Sequence, residues 1–169
     1  MDNTNKNTVN KSPDIYITRL LEITNAKYTY LQEMLEMTSE QAASIDVDQI
    51  AKLEDILDGK QRIIEKIDKL DDEFEVYFHR LKSEAKVKSL EELNASEVKG
   101  LKELKMSVSN VMAIIKELSN MEQSNRFKAK KVLESVGNEL KSINVAKKVN
   151  SAYGSIQFQT ESFFIDKKK

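Results

Sequence analysis

From Asp14 to Lys169 the chain contains no proline, and over most of that length apolar side chains return at heptad spacing. Such a run makes long helices, because proline is the residue that most sharply ends them and a seven-residue repeat keeps one face apolar as the helix turns. The single proline, Pro13, stands where a helix can begin. Its missing N–H falls among groups with no intrahelical partner, and its φ is already helical. Any chemistry must then lie on helix faces or at the chain ends.

Size and composition narrow the fold further. A chain of 169 residues is one domain, and 40% hydrophobic residues fill a thin core between elongated helices. The 33% charged fraction suits helices with solvated outer faces. With a net charge of −1 there is no global field toward nucleic acid or anionic lipid. Absence of cysteine removes disulfides, thiolate nucleophiles and thiolate metal sites, and suits a reducing cytoplasm. The leader MDNTNKNTVNKS has no apolar segment, and no stretch reaches the ~18 apolar residues of a membrane span, so neither general export nor insertion is expected.

Residues 1–12 are polar and are expected to be a disordered leader. Then Ile17, Thr24, Leu31, Thr38 and Ile45 recur seven apart, with a second row at Leu21, Tyr28, Leu35 and Ala42. This predicts a helix over 14–45. A tight reversal follows at Ile45-Asp46-Val47-Asp48, with Asp48 as the expected N-cap of a second helix over 48–88. That helix carries Ile56, Leu57, Ile63, Ile64, Ile67, Leu70 and Phe74, among others, an apolar stripe broad enough to touch more than one neighbour. Gly59 interrupts it, either as a tolerated surface glycine or as a site of close helix packing.

Between Ser83 and Ser96 the period weakens, and Ser89-Leu-Glu-Glu92 and Ser96-Glu-Val-Lys99 both read as helix starts. The third helix is expected over 96–148. Leu101, Leu104, Val108, Val111, Ile115 and Leu118 alternate spacings of three and four, and Glu122 and Asn125 then turn the frame polar. Val132, Leu133, Val136, Leu140 and Ile143 resume it. At 1.5 Å per residue the third helix outruns the first, so its distal half is expected to lack something to pack against. The sum is an all-α, elongated antiparallel three-helix bundle or coiled coil with disordered ends: leader 1–12, helical domain 13–149, flexible tail 150–169. The tail shows no sustained helical period but keeps Tyr153, Phe158, Phe163 and Phe164, which either dock on a partner or fold back on the bundle.

Catalysis finds little support. One histidine, His79, and no cysteine leave no nucleophile–base pair, and a di-metal bundle site needs a histidine on each of two helices. Gly59, Gly100, Gly137 and Gly154 stand alone, so no phosphate-binding loop is present. The acidic run Asp68 to Glu75 lacks the calcium-loop pattern and reads as a solvated helix face. The expectation is a protein with no enzymatic activity, no cofactor and no metal. The distal third helix differs: Arg126, Lys128, Lys130, Lys131, Lys141, Lys147 and Lys148 against Glu122, Glu134 and Glu139 give it a local charge of +4. A basic amphipathic helix is a candidate partner surface, with membrane contact and simple dipole complementation as the other readings.

Leu31-x3-Leu35, Thr38-x2-Gln41, Ile45-x2-Asp48 and Lys60-Gln-Arg-Ile-Ile-Glu-Lys-Ile-Asp-Lys-Leu-Asp-Asp-Glu-Phe74 together resemble the FlgN family of flagellar export chaperones, most specifically in Lys60-Gln61 and Leu70-Asp71. The resemblance implies a cytoplasmic, non-enzymatic helical chaperone that binds hook–filament junction (hook-associated) proteins before type III export, with export-gate components as further partners. It also implies that the client is held by the C-terminal amphipathic region, here Val132, Leu133, Val136, Leu140 and Ile143, to which the aromatics Tyr153, Phe158, Phe163 and Phe164 are added as partner-binding candidates. A chaperone for another flagellar client, filament cap or flagellin, and a self-associating structural coiled coil are the alternatives.

Overall fold

The computed structural model of the chain describes residues 13–89, 92–93 and 98–165, with side chains described through Ala152. The leader, the aromatic side chains of Tyr153, Phe158, Phe163 and Phe164, and residues 166–169 lie outside the described residues. Three helices carry the fold: α1, Pro13–Ser44; α2, Ile50–Ala85; and α3, Leu101–Ile165. One 3-10 turn, Val47–Gln49, joins the first two.

Ladder contacts give the helix directions. Lys60 on α2 reaches Gln41 near the end of α1, and Arg19 near the start of α1 bonds Glu73, so these two helices are antiparallel. Ser107 donates to Asn25 Oδ1 at 2.7 Å and Asn125 Nδ2 donates to the Thr38 carbonyl at 2.9 Å, so α3 runs parallel to α1. The backbone of α1 lies close to both others, while those of α2 and α3 stay further apart and meet through side chains.

The first heptad row is buried throughout: Ile17, Thr24, Leu31, Thr38 and Ile45. Two threonines fit this apolar row because each hydroxyl returns a hydrogen bond to the carbonyl four residues back, Thr24 to Leu20 and Thr38 to Met34, both at 2.7 Å. Around the row sit two clusters. At one end Tyr16, Ile17 and Leu20 meet Leu81, Leu101 and Leu104, and Leu93 from the connection closes over them. Toward the other, Leu31 meets Ile63, Ile67, Val111, Ile114 and Leu118. Leu70, expected in the packed stripe, is only half-buried.

The turns depart from the reading by capping pattern. Asp46, not Asp48, caps the first reversal: its carboxylate accepts from the Val47 N–H at 2.7 Å, and Asp48 lies inside the 3-10 turn, which delays α2 to Ile50. At its far end α2 stops at Ala85 instead of 88, because Lys86 adopts the left-handed conformation at φ 54° and the Val87 N–H bonds the Lys82 carbonyl at 3.2 Å. This is a helix-closing motif with lysine where glycine is usual. The third helix begins at Leu101 instead of 96 because Gly100 has φ +82°, outside any α-helix. At its other end α3 continues to Ile165, past the expected 148 and through the segment read as lacking a helical period. No proline stands there, and the lone Gly154 costs only about 1 kcal/mol in a helix interior.

Gly59 belongs to the close-packing reading. A Cβ built there would overlap the terminal methyl of Met37, so the glycine makes room for that side chain of α1.

Candidate functional site

The polar residues that interrupt α3 form a layer joining all three helices. Lys60 on α2 is buried to 7% exposure, and its ammonium is ion-paired with Glu122 of α3 and donates to Gln41 Oε1 of α1 at 2.9 Å. The Thr38 hydroxyl, whose proton goes to Met34, lies 3.3 Å from the same Glu122 oxygen, while Asn125, 4% exposed, holds the Thr38 carbonyl. A buried ammonium must find anionic and neutral acceptors within the protein, and this layer supplies both. Thr38, Gln41 and Lys60 are also among the residues that carry the family resemblance. Spacing had marked Glu122 and Asn125 as a break; their partners, up to 87 residues away, came only with the fold.

Past this layer the bundle runs out over about 15 Å, first at the end of α1 and then at the start of α2. Lys128 donates to the Ala42 carbonyl, and two residues later α1 closes at Ser44. Past the start of α2, from Leu133 to Ile165, the single helix α3 projects roughly 50 Å at 1.5 Å per residue. Its apolar stripe keeps the phase of the core. Leu104, Val111, Leu118 and Asn125, seven apart, are buried, and Val132, half-buried and level with the start of α2 at Ile50, is the next member of that row.

Val132, Val136 and Ile143 therefore share the face that points into the bundle lower down, with Leu133 and Leu140 on its flank. Val132 and Val136 are half-buried; Leu133, Leu140 and Ile143 are 71%, 56% and 49% exposed. Spacing thus placed these five on one side of one helix. It passed over three other exposed apolar residues, Phe127, Val145 and Val149, because they fall outside the heptad frame. The signal for Phe127 was Lys131 one turn on, whose ammonium lies 4.6 Å from the ring centroid.

Elsewhere the molecule offers little for chemistry. At the opposite end a shallow cleft of about 360 Å³ is lined by Tyr16, Arg19, Glu22, Tyr77 and Arg80. Arg19 is occupied by Glu22 and Glu73, bonds that hold its guanidinium further above its already high pKa. Tyr77 lies between Arg19 and Arg80, at 5.9 and 5.5 Å from the ring centroid. His79 is exposed, its Nε2 3.6 Å from Glu75. Among the described residues no three acidic or histidine side chains converge as a metal site, and no helix is long and apolar enough to cross a membrane.

Residues 16–157 match the family described as FlgN protein. The chain belongs to the FlgN family. FlgN proteins are flagellar export chaperones, a family of binding proteins and not of enzymes, and their partners are flagellar proteins. The match spans the bundle, the polar layer and most of the projecting helix, so the FlgN region includes the unpartnered stripe. No curated protein and no solved structure matches the chain.

Proposed function

We propose that this FlgN-family chain is a cytoplasmic chaperone for hook–filament junction proteins, holding their amphipathic terminal helices on the distal part of α3 until export. The observation that carries the reading is the in-phase continuation of the core stripe through Val132 into Val136, Leu140 and Ile143, past the end of α1 and the start of α2. A client helix laid there takes the place that α1 or α2 occupies lower down and extends the bundle, which covers apolar surface on both molecules and keeps the client from assembling early. Tyr153, Phe158, Phe163 and Phe164 are proposed to lengthen the same contact. No covalent step is involved, and an export-gate component can release the client by competing for the stripe.

The test is calorimetry with isolated junction proteins. Leu140→Asp or Val136→Asp removes apolar contact worth about 1.5–3 kcal/mol per side chain, so affinity should fall at least tenfold while circular dichroism of the bundle stays unchanged. Unchanged affinity would place the client elsewhere. Tight binding of a filament-cap protein or flagellin, with none of the junction proteins, would replace the client.

A further inference from the structure

We propose that the outer groove between α1 and α3 binds a basic amphipathic helix of a partner protein, at a surface separate from the distal stripe of α3. The groove consists of two clefts, of about 350 and 320 Å³, that share Tyr28 and Asn110 and so run on along the helices as one channel. Both are lined from α1 and α3 alone. The α1 wall is the second heptad row, Leu21, Tyr28 and Leu35, packed against the core yet only half-buried, which leaves apolar surface facing the channel. Met106 of α3, 59% exposed, adds to it from the other side. From Leu21 to Leu35 the channel spans about 21 Å, the length of four turns of a helix laid alongside.

Charge complementarity identifies the occupant. Glu103 stands toward one end of the channel, and Glu36 and Glu117 stand toward the other on opposite helices. All three are exposed and, among the described residues, none is ion-paired. No lysine or arginine lines either cleft. The cations of α1, Arg19 and Lys27, are both held by acidic residues of α2, Glu73 and Asp71, and Lys105 of α3 reaches the Leu93 carbonyl. Unpaired carboxylates around an apolar floor repel an acidic helix and attract one whose apolar stripe is flanked by lysine or arginine. Glu103 and Glu117 are two heptads apart, which sets the spacing of the matching cations. Midway, the Tyr28 hydroxyl has no hydrogen-bond partner among the described residues and can bond the occupant.

The basic helix of this same chain cannot fold back into the groove, because α3 is unbroken from Leu101 to Ile165. Val132, where the distal stripe begins, lies about 22 Å beyond Glu117 along α3, so a helix in the groove and a client on the stripe can be held at once.

Fluorescence anisotropy on the full chain tests this, with a labelled peptide of leucine and lysine in helical period, about five turns long. It should bind, more weakly as salt rises, and the same peptide with glutamate for lysine should not. Glu36→Gln/Glu103→Gln/Glu117→Gln should weaken binding about tenfold and Met106→Gln about threefold, with circular dichroism unchanged. Glu65→Gln/Asp68→Gln/Asp72→Gln removes as much charge from the exposed face of α2 and should leave affinity within about twofold. A photoreactive side chain in place of Met106 should cross-link to the peptide. No binding, equal losses in the two triple variants, tight binding of the glutamate peptide, or no cross-link from position 106 would overturn the proposal. Dimers of the chain that the groove substitutions abolish would overturn it in favour of a second copy as the occupant. Leu140→Asp should weaken client binding and leave the peptide bound; loss of both together would overturn the separation of the two surfaces, whereas peptide binding in a chain that holds no client would sink the client reading alone.

Discussion

Lys60 of α2 and Glu122 of α3 form an ion pair near the end of the three-helix region, with Gln41 of α1 completing the ammonium's coordination. Beyond it Lys128 still reaches the Ala42 carbonyl and α2 begins about 15 Å further on at Ile50; only past that is α3 alone. The polar layer is thus a clamp: it satisfies a buried charge only when three helices are in one register.

Breaking one side of the clamp should cost more than removing it whole. Lys60→Ala leaves the buried ends of Gln41 and Thr38 without their shared centre and should destabilise by about 1–3 kcal/mol in urea unfolding. Lys60→Met with Glu122→Met should recover most of that loss, since an apolar pair of similar volume avoids the desolvation cost. Additive losses in the double-mutant cycle would mean that the pair is not coupled.

Lys86→Gly should stabilise the protein by about 1 kcal/mol, read as a rise in the unfolding midpoint. A residue with a Cβ is strained in the left-handed conformation that closes α2, and glycine is not. A fall in stability would show that the lysine side chain contributes more there than its strain costs.

Gly100→Ala should do the opposite. Its φ of +82° disfavours any Cβ by about 1–2 kcal/mol, and that atom would press on Ile17 Cγ2 at 3.2 Å in the tightest cluster of the core. Gly59→Ala meets only the flexible end of Met37, so helix propensity should offset the contact and leave stability within about 1 kcal/mol of wild type. Equal losses at the two glycines would contradict this division.

A chain ending after Lys128 should keep the unfolding free energy of the bundle to within about 0.5 kcal/mol, because the core clusters use nothing beyond Leu118 and the polar layer nothing beyond Asn125. Client binding should vanish. A large loss of stability would show that distal α3 supports the bundle after all.

His79→Ala should change stability by less than about 0.5 kcal/mol and leave client affinity intact, as expected of an exposed side chain beside the solvated Glu75. Loss of a measurable turnover in that variant would contradict the family's non-enzymatic character.

Helix number, order and the buried row of α1 were legible in the chain because heptad periodicity is a local property, readable wherever a side chain must face the same way each second turn. So was the distal stripe, since a helix that outlasts its partners by length arithmetic must leave its apolar face uncovered. Helix ends were not. Asp46 and Asp48 are equivalent as capping residues in sequence, and only the 3-10 turn between α1 and α2 selected the first; Lys86 carries no mark of the left-handed conformation it adopts. The meaning of Glu122 and Asn125 also had to wait, because a polar residue in an apolar frame can be an interruption or a buried partner. Thr38, Gln41 and Lys60, brought from two other helices to the same level, decided that it was a partner, for a charge withdrawn from water is stable only where distant parts of the chain converge on it.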